Sequence, residues 1–305
     1  MDVSVIIVNY KTSHLIADCL QSLIAETKGV SYEVFVVDNN SEPDFKEKIV
    51  SRVKGAQTFH FIALPDNIGF GCANNVALEK CSGRNVLFLN PDTIILNNAV
   101  KILSDFLDKN PQAGACGGNL FGADMKPILS FKRKLPGIEW EFDELLHNSL
   151  HKIAFGKNRI YNHSSKPFKV GYITGADLMV RRSVLKKTGS FNPAYFMYFE
   201  ESDLCARIKK AGWEIFSVPE ARIQHLVGQS FGGVKPSPLK TEMIEKSRNI
   251  YYRTNHGPVS RAISNSIYNL FLVSRTVLTR NSNKKDNYRL RLKYFKESKR
   301  GKLGN

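Results

Sequence analysis

The chain has 305 residues, 42% hydrophobic and 24% charged, a make-up ordinary for a soluble globular protein of one large or two small domains. Its five cysteines (19, 72, 81, 116, 205) form no CxxC pair, no histidine stands at zinc-finger spacing, and no apolar run approaches the roughly eighteen residues of a membrane span. A zinc module and a transmembrane protein are thereby excluded. The net charge of +16 is the departure from the ordinary. Between Arg275 and Lys302, eleven basic residues face only Asp286 and Glu297, so this segment carries nine of the sixteen net charges and points to an anionic partner, nucleic acid or phospholipid.

In chain order, 3–8 is a continuous apolar strand that begins directly after Met1, which predicts no secretory leader. With scattered cysteines, the expected setting is cytosolic with reduced thiols. Leu15, Cys19, Leu20, Leu23 and Ile24 recur at helical spacing. A second strand over 32–37 ends in Asp38-Asn39-Asn40-Ser41, a short helix follows Pro43, and a strand spans 58–64. A helix is predicted over 70–81, a strand over 86–89 and a helix over 99–107. Alternation of helices with solidly apolar strands predicts an α/β fold with a mostly parallel central sheet covered on both faces.

From about Gly117 the alternation fails, and 121–170 reads as irregular loops with one helix around 140–155. Order returns at 170–176, with a helix over 181–187 and the aromatic run 195–199. A helix then runs from Glu200 to Ala211 and is stopped by Gly212. Strands are expected over 215–218 and 221–225. Ile263, Ile267, Leu270, Phe271, Val277 and Leu278 form an apolar stripe flanked by Arg261, Arg275 and Arg280. It is either a surface helix packed on the domain or an interfacial membrane helix.

Three strand ends carry polar residues: Asn9-Tyr10, Asp38-Asn39-Asn40 and Asn90-Pro91-Asp92. Parallel strands bring such ends to one edge of the sheet, where open α/β sheets bind ligands. Asp38 suits hydrogen bonds from a base or ribose. Asp92, after a proline that ends its strand, suits a divalent cation, or else it caps the helix starting near Asn97. Asn67-Ile68-Gly69 precedes a helix whose first N–H groups can face an anion, or Gly69 merely makes a turn. Glu200, Glu201 and Asp203 stand within one turn of a helix start. They either complement the helix dipole or, against the aromatic wall before them, have a pKa raised toward that of a general base. His225 ends a short strand as a structural residue or as a ligand to manganese. No GxGxxG follows the first strand, position 74 is Asn rather than a third glycine, and no GxxxxGK[ST] loop exists. Dinucleotide-binding and phosphate-loop folds are therefore set aside.

The segments VSVIIVNYKT (3–12), EVFVVDNNS (33–41), NIGFGCANN (67–75), VLFLNPDT (86–93), ITGADLMVRR (173–182), the block 189–225 and Gly228-Gln229-Ser230 closely resemble family 2 glycosyltransferases of the GT-A fold, most of all the rhamnosyltransferase-like branch that builds bacterial surface polysaccharides. The resemblance implies roles by position. Asn9, Tyr10 and Asp38 would hold the nucleotide, with Asn67, Gly69 and Asn90 near it. Asp92 would bind Mg²⁺ or Mn²⁺ as the surviving acid of an Asp-x-Asp motif, with His225 as a further ligand. Glu201 would be the catalytic base, where the family usually has Asp, with Glu200 and Asp203 beside it. Asn90 in place of the first Asp leaves Asp92 as the metal-binding acid.

The implied reaction is inverting, metal-dependent transfer of a sugar, rhamnose among the candidates, from a dTDP- or UDP-linked donor to a hydroxyl of a lipid-linked oligosaccharide. The enzyme would sit peripherally at the inner face of the plasma membrane, on anionic lipid and not on nucleic acid. The expected organisation is a catalytic domain over 1–232, divided into a nucleotide-sugar half (1–120) and an acceptor half (121–232), with a helical, basic extension over 233–305. Two other readings stand beside it. A nucleotidyltransferase would release pyrophosphate and carry a glycine-rich basic loop after its first strand. A nucleic-acid-binding protein would stripe its basic residues along one folded face.

Overall fold

The computed structural model describes residues 1–55, 59–226 and 237–301. The Gly228-Gln229-Ser230 motif, the 232/233 boundary, Thr58 and Lys302 lie outside the described residues. In the first third, strands β1 (Val3–Asn9), β2 (Tyr32–Asp38), β3 (His60–Ala63) and β4 (Asn85–Leu89) alternate with helices α1 (Ser13–Glu26), α2 (Phe45–Arg52) and α3 (Phe70–Leu78). β5 (Thr93–Ile95), α4 (Ala99–Lys109) and β6 (Ala113–Phe121) follow, then the hairpin-like pieces β7 (Phe131–Lys132), β8 (Phe168–Val170), β9 (Tyr172–Ile173) and β10 (Asp177–Arg181). Between β7 and β8 lie α5 (Ile138–Leu145), α6 (Ser149–Phe155) and a 3₁₀ turn, Gly156–Arg159. α7 (Arg182–Thr188), α8 (Glu200–Lys210) and β11 (Glu214–His225) complete the sheet region. α9 (Pro238–Asn255), α10 (Pro258–Leu278) and α11 (Ser282–Lys299) come last.

The nine-stranded sheet runs in the order β3-β2-β1-β4-β10-β6-β11-β5, with β8 also on β11. β1 to β4 are parallel, and β6 pairs parallel with β11, while β10 enters antiparallel to both β4 and β6. The expected mostly parallel sheet is therefore present. Side-chain alternation along β1 explains its two covered faces: Val3, Val5 and Ile7 pack toward α1, α2 and α4, while Ile6 and Val8 pack toward α3, α7 and α8.

Three local expectations are corrected. The single helix around 140–155 is two, because Asp143 interrupts it: its Oδ1 accepts from the N–H groups of Leu150 (2.8 Å) and His151 (3.3 Å), turning the chain through His147 and Asn148, both at positive φ. The two strands after Gly212 are one twelve-residue strand, β11, with a register shift between Ser217 and Arg222 that absorbs Pro219. A short strand, β5, stands between Asp92 and α4, so Asp92 does not cap that helix.

The last three helices clamp onto α5 and α8. Arg248 and Glu141, both nearly inaccessible, form an ion pair at 2.6 Å, and the Tyr252 hydroxyl donates to the same Glu141 oxygen at 2.6 Å. Arg248 also donates to Asn265 Oδ1, while Glu245 accepts from the Tyr268 hydroxyl and from Arg291. Arg291, one of the eleven basic residues near the end, is thus spent inside the fold. The 263–278 stripe divides: Phe271 packs with Tyr268 and Leu272, whereas Ile263, Leu270, Val277 and Leu278 are exposed. No helix of the described residues is long and apolar enough to cross a membrane.

Candidate active site

The registers of β1, β2 and β4 fix what their carboxyl ends present. Asn9 lies directly beside Asp38, and Ile7 beside Leu89, so Asn90 emerges next to the Asn9–Asp38 pair. Asn9 Nδ2 donates to Asp38 Oδ1 (2.7 Å) and Ser41 Oγ (3.0 Å), and its Oδ1 accepts from the Thr12 N–H and hydroxyl. Its amide is fully engaged within the protein. Asn9 therefore sets the orientation of Asp38, whose Oδ2 accepts from the Ser41 N–H at 3.1 Å, in place of the direct nucleotide contact expected of it. Tyr10 is half-buried at the same edge, with Lys11 Nζ 5.2 Å from its ring centre.

The loop over 67–69 is tied to that edge by Asn39, which the sequence places in a polar strand end without a role of its own. Asn39 is buried, donates to Asn67 Oδ1 (2.8 Å) and accepts from the Ile68 N–H (3.0 Å), while Asn67 Oδ1 also accepts from the Gly69 N–H (3.1 Å). The Phe70 N–H donates to the carbonyl of Phe196 at 2.9 Å. The first N–H of α3, that of Phe70, is therefore already donated, as are those of Ile68 and Gly69 just before it. Gly69 serves close approach: at φ +85°, a Cβ there would lie 2.4 Å from Phe196 O. This contact docks the aromatic run 195–199 on the start of α3. A Cβ on Gly71 would lie 3.8 Å from Glu200 Cβ, so the acidic start of α8 lies over the same turn.

Tyr198 and Phe199, both at positive φ, deliver the chain into α8. Glu200 is buried, and one of its carboxylate oxygens, Oε2, has no hydrogen-bond partner. Burial, then the neighbouring Glu201 charge, pushes its pKa well above the usual carboxylate range. Burial also raises Glu201, against the opposing pull of the helix-start N–H groups. Asp203 is held within the protein. It is fully buried, paired with Arg207 Nε (2.9 Å) and bonded by Asn255 Nδ2 of α9 (2.8 Å). Both oxygens are occupied by the protein, so Asp203 fastens α8 to α9 and supports the helix start that carries Glu200 and Glu201.

On the far side of β4, Asp92 Oδ1 lies 3.2 Å from His225 Nε2, and Asn90 Nδ2 lies 3.4 Å from the same ring nitrogen. The pairing of β5 with β11 aligns His225 with Thr93 and thereby brings together residues 133 positions apart in sequence. Among the described residues no cluster of three or more His, Cys, Asp or Glu side chains forms a metal cage. One carboxylate and one imidazole are a donor pair that manganese accepts, leaving other positions to ligand oxygens and water. A second residue not anticipated, Asp177 on β10, is inaccessible and accepts from the Gly118 N–H at 2.5 Å. Burial raises its pKa to about 7, against the pull of His225. The sequence signal was there: an acid opening an otherwise apolar strand, in GADLMV.

A profile for the family described as Glycosyl transferase family 2 matches residues 4–189. A Mycobacterium tuberculosis protein named N-acetylglucosaminyl-diphospho-decaprenol L-rhamnosyltransferase is 28% identical over 282 residues, 85% of this chain and 86% of that one. The Escherichia coli rhamnosyltransferase WbbL is 28% identical over 233 residues, covering 73% and 83%. Among solved structures, GalNAc-T7 with UDP, GalNAc and Mn²⁺ superposes with a TM-score of 0.64 at 13% identity, over 98% of this chain and 56% of that one. Staphylococcus aureus TarS 1–349 with UDP-GlcNAc gives 0.57 at 19%, over 98% and 81%. These likenesses bear on the fold, and the matched profile on the family. The chain is a glycosyltransferase of the GT-A fold and belongs to glycosyl transferase family 2.

Proposed function

We propose that this glycosyltransferase moves a sugar, rhamnose being the first candidate, from a dTDP- or UDP-linked donor to a hydroxyl of a lipid-linked saccharide, with inversion at the anomeric carbon. The observation that carries the reading is that Asp38 and the Asp92–His225 pair share one sheet edge, while Glu200 and Glu201, with raised pKa values, open a helix lying over the 67–71 turn tied to that edge. The names of both relatives support rhamnose, and the name of the Mycobacterium tuberculosis protein supports the lipid-linked acceptor. Residues 1–232 would form the catalytic unit and 233–305 a helical clamp upon it.

Asp38, held by Asn9, would accept from the ribose or base of the donor, with Tyr10, Asn67 and Asn90 bordering the nucleotide. Asp92 and His225 would hold Mg²⁺ or Mn²⁺, which supplies positive charge beside the departing diphosphate. Glu201 takes the proton of the acceptor hydroxyl as that oxygen bonds to the anomeric carbon. The bond from that carbon to the diphosphate oxygen breaks on the opposite face, and the nucleoside diphosphate leaves. Burial, which raises a carboxylate pKa, brings Glu201 closer to the proton affinity a base needs near neutral pH. The Glu201 charge in turn raises Glu200, whose Oε2 has no hydrogen-bond partner, so that Glu200 stays protonated beside the base.

The exposed Ile263, Leu270, Val277 and Leu278 of α10, followed by Arg280, Lys284 and Lys285, support peripheral attachment to anionic lipid at the cytoplasmic membrane face. A panel of dTDP-, UDP- and GDP-sugars with Mn²⁺ and a lipid-linked acceptor tests the reaction. Transfer from one donor with an inverted product linkage is expected, and release of pyrophosphate from a nucleoside triphosphate would overturn it. Flotation with anionic vesicles at low salt tests attachment, and full retention in the unbound fraction would overturn that part.

A further inference from the structure

Two consecutive carbonyls just before the acidic start of α8 are held by two elements far apart in the chain. Phe196 O accepts from the Phe70 N–H of α3 at 2.9 Å, and Met197 O accepts from the Ser247 hydroxyl of α9 at 2.7 Å. Tyr198 and Phe199 then pass through the left-handed region, at φ 71° and 66°, and Glu200 and Glu201 follow at once. Bulky side chains keep such angles only where their surroundings over-determine them. The two held carbonyls supply that constraint, one from the 67–71 turn and one from the helical clamp.

Ser247 spends its hydroxyl differently from its neighbours. Thr241 and Thr254 of α9 return theirs to the carbonyls four residues earlier, Ser237 O (3.0 Å) and Ile250 O (2.9 Å). Ser247, nearly inaccessible, instead reaches a segment 50 residues away. Residues 247, 251 and 255 stand four apart on one face of α9, and each meets the segment 197–203. The Tyr251 ring lies 5.6 Å from that of Phe199, which packs on the inaccessible cluster of Tyr195, Tyr251 and Tyr252. Asn255 Nδ2 donates to Asp203 Oδ1 at 2.8 Å. Arg248 and Tyr252 grip Glu141 of α5, so α9 is itself fixed from behind.

On the reading that Glu201 is the base, we propose that Ser247 is a positioning residue for sugar transfer. Through the Met197 carbonyl it holds the Tyr198–Phe199 turn and so fixes where the Glu201 carboxylate meets the acceptor hydroxyl. Its own side chain meets no substrate. The helical clamp is thereby part of what makes the site competent and not only a support for the sheet.

The test compares Ser247→Ala, which removes the hydroxyl at nearly constant volume, with Asn249→Ala. Asn249 lies on another face of α9 and donates to Ser298 O at 3.0 Å, so it too fastens the helix, but to α11 and away from α8. In Ser247→Ala, kcat falls about tenfold or more, the scale of a small misplacement of a reacting group, with KM for the donor within about twofold. Asn249→Ala keeps kcat within about twofold of the unaltered enzyme. The acidic limb of the pH–rate profile moves to lower pH in Ser247→Ala alone, because a loosened turn admits water to the Glu201 carboxylate. In Ser247→Ala/Glu201→Gln, kcat equals that of Glu201→Gln, since a residue acting through the base then has nothing left to position. Thermal melts establish that each variant is folded at the assay temperature. An unchanged kcat in Ser247→Ala, an equal fall in Asn249→Ala, a fixed limb, or a further fall in the double variant each overturns the assignment. If Glu201→Gln keeps full kcat, the base reading has failed. If Glu201→Gln is impaired and Ser247→Ala is not, only the role of Ser247 has failed.

Discussion

Asp92 Oδ1 lies 3.2 Å from His225 Nε2, across a strand pair that joins two distant parts of the chain. As a donor pair for a divalent cation, the two should fail together. Asp92→Ala and His225→Ala are each expected to lower kcat/KM by about 100-fold or more, the scale of removing a group that stabilises developing charge. His225→Ala should also raise the Mn²⁺ concentration needed for half-maximal rate. A metal titration in which His225→Ala behaves as the unaltered enzyme would remove the histidine from the pair.

Glu201→Gln removes the proposed base and should cost about 10²–10⁴ in kcat with the fold intact. Activity needs the carboxylate, so the acidic limb of the pH–rate profile should lie above the usual carboxylate range. Glu200 stays protonated where Glu201 titrates, so Glu200→Gln should leave that limb in place. A limb that moves to lower pH in Glu200→Gln would show that Glu200 carries charge there.

Glu200 also makes a stability prediction. Its folded-state pKa is raised, so between the unfolded value and the folded one the native state binds more protons than the unfolded chain. Stability therefore falls as pH rises through that window. Glu200→Gln should raise Tm above the window and change it little below the unfolded pKa. Thermal melts at pH 4 and pH 8 with equal gains would contradict this.

Gly69→Ala combines a left-handed backbone with a contact against the Phe196 carbonyl that leaves no room for a methyl group. A loss of about 1–3 kcal/mol is expected, together with a fall in kcat as the acidic start of α8 shifts. Denaturant unfolding and turnover measured on one preparation check both.

Arg248→Met strips a buried partner from Glu141 and should cost about 3–5 kcal/mol, while the double variant Glu141→Gln/Arg248→Met should recover part of it. Limited proteolysis should then cut near the start of α9 in the single variant first.

Local sequence determined much of this protein. Apolar runs at 3–8, 32–37 and 86–89 specify strands buried on both faces, and Pro91 and Gly212 mark where elements stop, because these are properties of a few neighbouring residues. The polar strand ends could be ordered before any coordinates, since parallel strands share one edge. Which atoms remain available there was decided only by tertiary structure. Asn9 read as a nucleotide-holding side chain and Asp203 as one beside the base, but packing supplies each with protein partners: Asp38, Ser41 and Thr12 for the first, Arg207 and Asn255 for the second. The start of α3 read as an anion site or as a turn at Gly69, and Phe196, 127 residues after Gly69, takes the Phe70 N–H. Hydrogen-bond capacity is finite, and in a close-packed interior partners come from anywhere in the chain. The residue types of the site are therefore a local property, whereas their freedom to meet a substrate belongs to the whole fold.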